Sequence, residues 1–413
     1  MLNRFFKDPS TLRRFSEGPA GPFLESFGET LLAQGYSIGT CRSHLSTAAH
    51  LGEWAVRRGV AIADFDEGLV DRYVRHLSRC RRRGARRCTH KRVPFRAHQF
   101  LRYLREAGIV AACAPVSKRS AAVVQYGTWM REHRGLATTT IRHALPVAQA
   151  LLDTVEDDPL RLDAAGVRSF VQDYVRQHAP ASAMCITSIV RCALRYWVRQ
   201  GQCSPDLVDA VPKVLTWRLA KLPQYLHDEG VERIIEACNR PSPVALRDRA
   251  MLLLLARLGL RACEVVALRF GDIDWSQGRL RIIGKGRREA RLPLPQDAGD
   301  AVLAYLEAER PATPMDFIFL TARAPIGPIH SNGLRSVVCR AIKSAGVQAP
   351  SRGTHILRHS VATRWLREGA TLDAIGAVLR HRDVNTTASY AKVDVDLLRQ
   401  IAQPWPSTEV SPC

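Results

Sequence analysis

No run of about 18 apolar residues, the length a membrane-crossing helix needs, occurs in the sequence. The longest candidate, Ala250–Ala256, is far shorter. The first residues, Met1-Leu-Asn-Arg-Phe-Phe-Lys-Asp, carry no long apolar segment of the secretory kind. A cytoplasmic protein without a membrane partner is therefore expected. Eleven cysteines are present, but none forms a Cys-x-x-Cys pair, and Cys80, Cys88 and His90 fit no zinc spacing. In a reducing compartment such scattered thiols serve as small buried hydrophobes. A glycine-rich phosphate loop ending in Lys-Ser or Lys-Thr is also missing, which argues against ATP as a cofactor. No acidic cluster suited to two metal ions is evident, so neither a cofactor nor a metal is expected.

Acid is in short supply throughout. Sixty Lys and Arg stand against 39 Asp and Glu, giving a net charge of +21, and the sequence pI is near 10.1. With 46% hydrophobic and 24% charged residues the chain is otherwise ordinary globular protein, and 413 residues suffice for two to four domains. Such an excess of cations points to a polyanionic partner. It peaks between Arg79 and Arg92, where eight of fourteen residues are Lys or Arg and none is acidic. Arg81, Arg82, Arg83, Arg86, Arg87, Lys91 and Arg92 are therefore candidates for contact with a phosphate backbone, which raises affinity and salt dependence without reading sequence. The alternative for this run is a solvated basic loop.

The N-terminal half repeats itself. Gly35–Leu45 aligns with Gly135–Leu145 at an offset of 100, Asp66–Val74 with Asp163–Val171 at 97, and Leu101–Leu104 with Leu194–Trp197 at 93. Gly108 and Gly201 close the two copies. Each copy reads as a four-helix unit of about 90 residues, the shrinking offset marking shorter loops in the second. The units span residues 23–112 and 113–211. Residues 1–22, rich in Pro and Gly, read as an irregular arm, and 212–223, with a proline at each end, as a linker.

Residues 224–403 form the next domain, with 404–413 as a tail. Asp228 is placed to cap a helix reaching Asn239. Ala250–Leu258 is too apolar for a surface helix and reads as a central buried one, ended by Gly259. Alternation from Arg279 to Leu294 predicts two strands around a Gly284-Lys285-Gly286 turn. A helix over 330–345 carries Arg335, Arg340 and Lys343, a plausible groove-facing set. Thr354 is placed to cap a helix ending by Gly369. A short apolar helix covers 372–379, and a last one 397–402. The fold class is mainly α, with helical units followed by an α+β domain holding a small β-hairpin.

Within this last domain, Thr354-His-Ile-Leu-Arg-His-Ser360 is followed by Leu379-Arg-His381 and Ala388-Ser-Tyr390. His355 and Arg358, three apart, share a helix face. By itself a His-x-x-Arg pair is usually a solvated helix face. Upstream, however, Gly259-Leu-Arg261-Ala-Cys-Glu264 follows the apolar helix, and Lys285 sits in the hairpin. An arginine about 100 residues before a His-x-x-Arg, a hairpin lysine between them and a tyrosine after them resembles the tyrosine recombinase (phage integrase) family, from Leu222 to about Ile401. Alone, Arg261 with Glu264 three residues on also reads as a capping or ion-pair arrangement.

The residues support covalent phosphoryl chemistry. Tyr390 is a possible nucleophile, which at its ordinary pKa near 10 needs positive charge or a base beside it. Arg261 and Arg358 supply forks for charged nonbridging oxygens, and His355 is the best base candidate. The resemblance implies that Lys285 protonates the leaving 5′ oxygen, that His381 hydrogen-bonds the scissile phosphate, and that Glu264 helps hold the site. It further implies a helical core-binding domain in the second copy, with the first as an extra arm. Site-specific recombination of double-stranded DNA through a 3′-phosphotyrosyl intermediate is then expected, by a homotetramer on two duplexes. Other recombinases or accessory DNA-binding proteins are possible further partners. A mobile-element role is favoured by the duplicated arm and the charge. The alternatives are a relaxing enzyme resembling type IB topoisomerases, or an architectural DNA-binding protein whose site has decayed.

Overall fold

The computed structural model describes residues 2–77, 92–111, 119–179, 182–214, 222–284, 289–381 and 383–393. Two compact units form, Met1–Ala111 together with Leu219–Cys413, and Ala112–Arg218. No helix among the described residues is long and apolar enough to cross a membrane.

The two repeats are built alike. The first has helices Gly21–Ala33, Ile38–Val56, Glu67–Leu77 and Val93–Glu106; the second has Ala121–Glu132, Thr138–Leu152, Ala164–Arg176 and Ala183–Arg199. Residues that align in sequence hold equivalent turns. Gly35 and Gly135 both take positive φ, +83° and +56°, and Gly108 and Gly201 do the same at +71° and +68°. Such backbone is costly for any residue with a Cβ. Asp66 accepts from the Leu69 amide at 2.6 Å and Asp163 from the Gly166 amide at 2.6 Å, each at the start of its third helix. These carboxylates satisfy amides that have no partner within the helix. Each repeat has its own apolar core, around Phe27, Tyr73 and Phe100 in the first and Tyr126, Val190 and Trp197 in the second.

The N-terminal stretch departs from expectation. Residues 1–22 are not an irregular arm: Pro9–Glu17 is a helix, with Asp8 accepting from the Thr11 amide at 2.8 Å. Its proline sits in the first turn, where a missing N–H costs nothing. Phe5 and Phe15, each 2% exposed, enter the core of the first repeat.

In the C-terminal domain, the helix Ala245–Leu258 begins earlier than its apolar run, and its first turns bury an ion pair. Arg247 donates to Asp248 at 2.7 Å and to the Leu320 carbonyl at 3.0 Å, and Arg340 reaches the other Asp248 oxygen at 2.9 Å. Arg340, read from sequence as groove-facing, pairs with Asp248 while its side chain stays 58% exposed. Leu252, Leu253, Leu254 and Leu255 are all buried, as a helix packed on several sides requires. Its neighbours are the helices Gln296–Ala308 and His355–Arg367.

A three-stranded antiparallel sheet, β1 (Ile273–Asp274), β2 (Arg279–Ile283) and β3 (Glu289–Pro293), lies in this domain. Leu280 pairs with Leu292 and Ile282 with Ala290, so one face is apolar. β1 was not foreseen. Asp228 does not cap its helix: it is the first helical residue, and His227 precedes it without a side-chain cap. The first repeat packs with this domain, the Ile326 amide donating to the Gln34 carbonyl at 2.8 Å.

Leu254 makes no contact with solvent. Leu254→Ala is expected to lower stability by about 2–5 kcal/mol, because the cavity cannot collapse fully. Leu303→Ala, at a position 43% exposed, is expected to cost no more than roughly 0.5 kcal/mol. Urea titration of both variants checks the contrast.

Candidate active site

Arg358 lies in the second turn of the helix His355–Arg367 and is 3% exposed. Its guanidinium donates from Nη1 to the Gly259 carbonyl and from Nη2 to the Leu379 carbonyl. Both acceptors stand where helices end. Gly259 closes Ala245–Leu258 in the left-handed conformation, φ +58°. A Cβ there would fall 2.6 Å from a Leu379 methyl, so the position excludes other residues on two counts. Leu379 ends the helix Leu372–Leu379, after which Arg380 is itself left-handed at φ +56°. Thr354 does not cap Arg358's helix with its side chain; its backbone is already helical.

Arg261 precedes the helix Ala262–Val266, and Glu264 turns back on it. Glu264, 3% exposed, accepts from the Arg261 amide at 2.8 Å and from Arg261 Nη1 at 2.8 Å. It also takes Arg380 Nη2 at 2.7 Å. The capping and ion-pair arrangement read from sequence is therefore present, with a second cation added. Three guanidiniums surround one carboxylate, leaving positive charge in excess. Burial first, then repulsion from Arg261 and Arg380, lowers the Arg358 pKa to about 10, so it remains a cation at neutral pH.

Tyr390 is 1% exposed. Its hydroxyl shares a 2.8 Å hydrogen bond with His359 Nδ1. The His381 ring stacks 6.3 Å away, its plane 11° from that of the tyrosine, and His381 Nδ1 bonds the Thr387 hydroxyl at 2.7 Å. His355, one turn before His359, keeps its ring 6.3 Å from it and faces solvent. Burial, partly offset by Arg358, pushes the Tyr390 pKa up to about 12. Burial and neighbouring cations push His359 and His381 down to about 4. His355 is lowered too, by surrounding protein and then by Arg358 and Arg261. At neutral pH the site thus holds a protonated phenol among neutral imidazoles.

Arg261, Glu264, His355, Arg358, His381 and Tyr390 therefore meet in one place. Lys285 lies outside the described residues, as do Arg81, Arg82, Arg83, Arg86, Arg87 and Lys91 and the expected 397–402 helix. Arg92 is exposed just before the helix Val93–Glu106. Two members of the cluster went unread in the sequence. His359 was visible only as a histidine one turn beyond His355, and Arg380 only as the residue between Leu379 and His381.

This mostly helical frame with its small sheet is the fold of the tyrosine recombinases. XerH recombinase bound to a palindromic difH substrate matches 80% of this chain and 93% of its own with a TM-score of 0.54 at 19% identity. A lambda integrase dimer on a COC′ core site matches 70% of this chain and 98% of its own, at a TM-score of 0.52 and 19% identity. Residues 224–396 match the phage integrase family. The tyrosine recombinase XerD of Vibrio vulnificus is 32% identical over 66% of this chain and 90% of its own length. The y4rA protein of Sinorhizobium fredii, whose name marks it provisionally as an integrase/recombinase, is 38% identical over 98% of this chain and 99% of its own. The chain belongs to the phage integrase family of tyrosine-type site-specific recombinases.

The depressed histidines make stability depend on pH. In the unfolded chain they bind protons below about 6.5, in the folded chain only below about 4. Their contribution is complete above about pH 6.5 and is lost as pH falls through about 4. Hydrogen-exchange protection of residues 355–381 should fall between about pH 7 and pH 4.5, and fall less steeply in a His359→Gln/His381→Gln variant. An equal slope in both proteins would remove these histidines from the linkage.

Proposed function

We propose that Tyr390 cleaves one strand of duplex DNA and that the chain rejoins it to another. The phenol oxygen bonds to phosphorus, the bond from phosphorus to the 5′ oxygen breaks, and a 3′-phosphotyrosyl link forms. The phenol proton passes to His355, and Lys285 gives a proton to the departing 5′ oxygen. Arg261 and Arg358 hold the nonbridging oxygens as their charge grows, His381 bonds the phosphate, and Glu264 orients Arg261. Because the new ester conserves the energy of the old, rejoining needs no nucleotide cofactor.

The observation that carries this reading is the burial of Tyr390 beside a surplus of guanidinium charge. Arg358 already draws the phenol towards ionisation, while burial opposes it. The Tyr390 hydroxyl rests on His359 and not on His355, so the proton passes to His355 once the hydroxyl has left that contact. Since the hydroxyl is enclosed, residues 384–393 must shift for it to meet a phosphodiester.

Duplex DNA as substrate is supported by the +21 net charge and by the DNA present in the XerH and lambda integrase structures. We further infer a homotetramer on two duplexes, acting in the cytoplasm, with other recombinases or accessory DNA-binding proteins as possible further partners. Residues 23–112 act as an extra DNA-binding arm and 113–211 as the core-binding domain. Movement of a mobile element is the role that the duplicated helical unit best supports.

Tyr390→Phe removes only the hydroxyl, so DNA binding should persist while covalent protein–DNA adducts vanish on denaturing gels. Adducts formed by that variant would refute the nucleophile assignment. Lys285→Ala should slow cleavage by roughly 10²–10⁴-fold on ordinary DNA. On a substrate with a 5′-bridging sulfur, which leaves without a proton, it should recover most of that loss, while Arg261→Ala and Arg358→Ala remain slow. Equal rescue of all three would transfer the general-acid role elsewhere.

A further inference from the structure

Three residues other than glycine take positive φ among the described residues, and Arg380, at +56°, is the one that adjoins the site. A left-handed position after a helix ordinarily falls to glycine, because a Cβ crowds the neighbouring carbonyl there. This chain follows that habit at Gly259 and Gly346, which close the helices Ala245–Leu258 and Ser331–Ala345 at φ +58° and +63°. An arginine kept where glycine is less strained implies a task for its side chain.

The backbone of this turn has a task of its own. The Leu379 carbonyl accepts from Arg358 Nη2, and the Arg380 carbonyl accepts from Arg261 Nη2 at 3.4 Å. Glycine would supply both. What the side chain adds is the 2.7 Å bond from its Nη2 to Glu264 Oε2, the same oxygen that accepts the Arg261 amide at 2.8 Å. Two donors thus fix Oε2, and the Arg261 guanidinium reaches Glu264 from Nη1 to Oε1 at 2.8 Å. A carboxylate alone with an arginine tends to take it through both oxygens, as a fork. Here one arm of that fork is already occupied. The Arg261 side chain is 25% exposed and that of Arg380 12%, so the first can meet an incoming phosphate while the second is largely covered.

We propose that Arg380 is a positioning residue for strand cleavage: by holding Glu264 Oε2 it keeps the carboxylate from closing on Arg261 with both oxygens, and leaves Arg261 free to grip the scissile phosphate. Its charge also offsets that of Glu264, so the carboxylate does not neutralise Arg261. Arg380 touches no substrate and acts through Glu264. The proposal rests on the reading of Arg261 as a clamp on the nonbridging oxygens.

The test is single-turnover cleavage, by the full chain, of a duplex selected from a randomised library by its covalent capture on the unaltered protein. Arg380→Gly keeps the left-handed turn and both carbonyls while deleting the guanidinium. It should slow cleavage by roughly tenfold, within the coupling range of groups in one ion-pair network, and leave the affinity for the same duplex unchanged. Arg380→Asn, which also tolerates this backbone, should behave alike, and it keeps the test valid if the glycine variant fails to fold. Arg380→Lys restores a cation able to reach Glu264 and should recover most of the rate. In an Arg261→Ala background Arg380→Gly should have little further effect, because the guanidinium it protects is gone. A loss undiminished in that background, no recovery with lysine, or unslowed cleavage by both the glycine and asparagine variants would overturn the proposal. If Arg261→Ala alone left the rate unchanged, the clamp itself would be refuted and this proposal with it, which separates the two failures.

Discussion

The buried guanidinium of Arg358 is the constraint on which the C-terminal domain depends. Removing a cation from water costs several kcal/mol, and the position is tolerable only because its N–H groups find acceptors. Those acceptors are the Gly259 and Leu379 carbonyls. Helix ends are where carbonyls lack partners within the helix and carry partial negative charge. The helices Ala245–Leu258 and Leu372–Leu379 must therefore stop where they do, and each is followed by a left-handed residue. The long apolar helix fixes the height of Gly259, and Gly259 in turn fixes Arg358.

Glu264 extends the same logic to the rim. One carboxylate holds both Arg261 and Arg380, which limits repulsion among three arginines without cancelling their charge. Burial and this surplus together set the state of the other groups. Burial first and then the cations make protonation of His355, His359 and His381 costly, while the surplus offsets part of the penalty that burial places on an ionised Tyr390. An anion among these arginines would make protonation of the histidines less costly and ionisation of Tyr390 more so.

Much of this was legible in the sequence because it is local. The repeat offsets located Gly35 with Gly135 and Asp66 with Asp163, and each pair performs one backbone task in the structure. The strands around Gly284-Lys285-Gly286 follow from alternation along a few residues. Capping is less secure when read from residue type alone. Asp228 and Thr354 are both suitable cap residues, but the backbone is already helical at each, so neither side chain performs that task. Residues 9–17 were misread because their Pro and Gly neighbours signal a loop, whereas Asp8 and Pro9 together begin a helix.

The sequence by itself determined the class of fold, the positive balance, and the residue types gathered between Arg261 and Tyr390. Tertiary structure alone decided who meets whom. Tyr390 is paired with His359, 31 residues earlier, and not with the histidine of the His-x-x-Arg pair. Glu264 takes a second arginine 116 residues away. No periodicity encodes such distances, because helical and strand spacing specify only which side chains share a face. The partner across the gap is chosen by how helix ends pack, and that packing is set by the buried leucines of Ala245–Leu258 and by a guanidinium that must find its carbonyls.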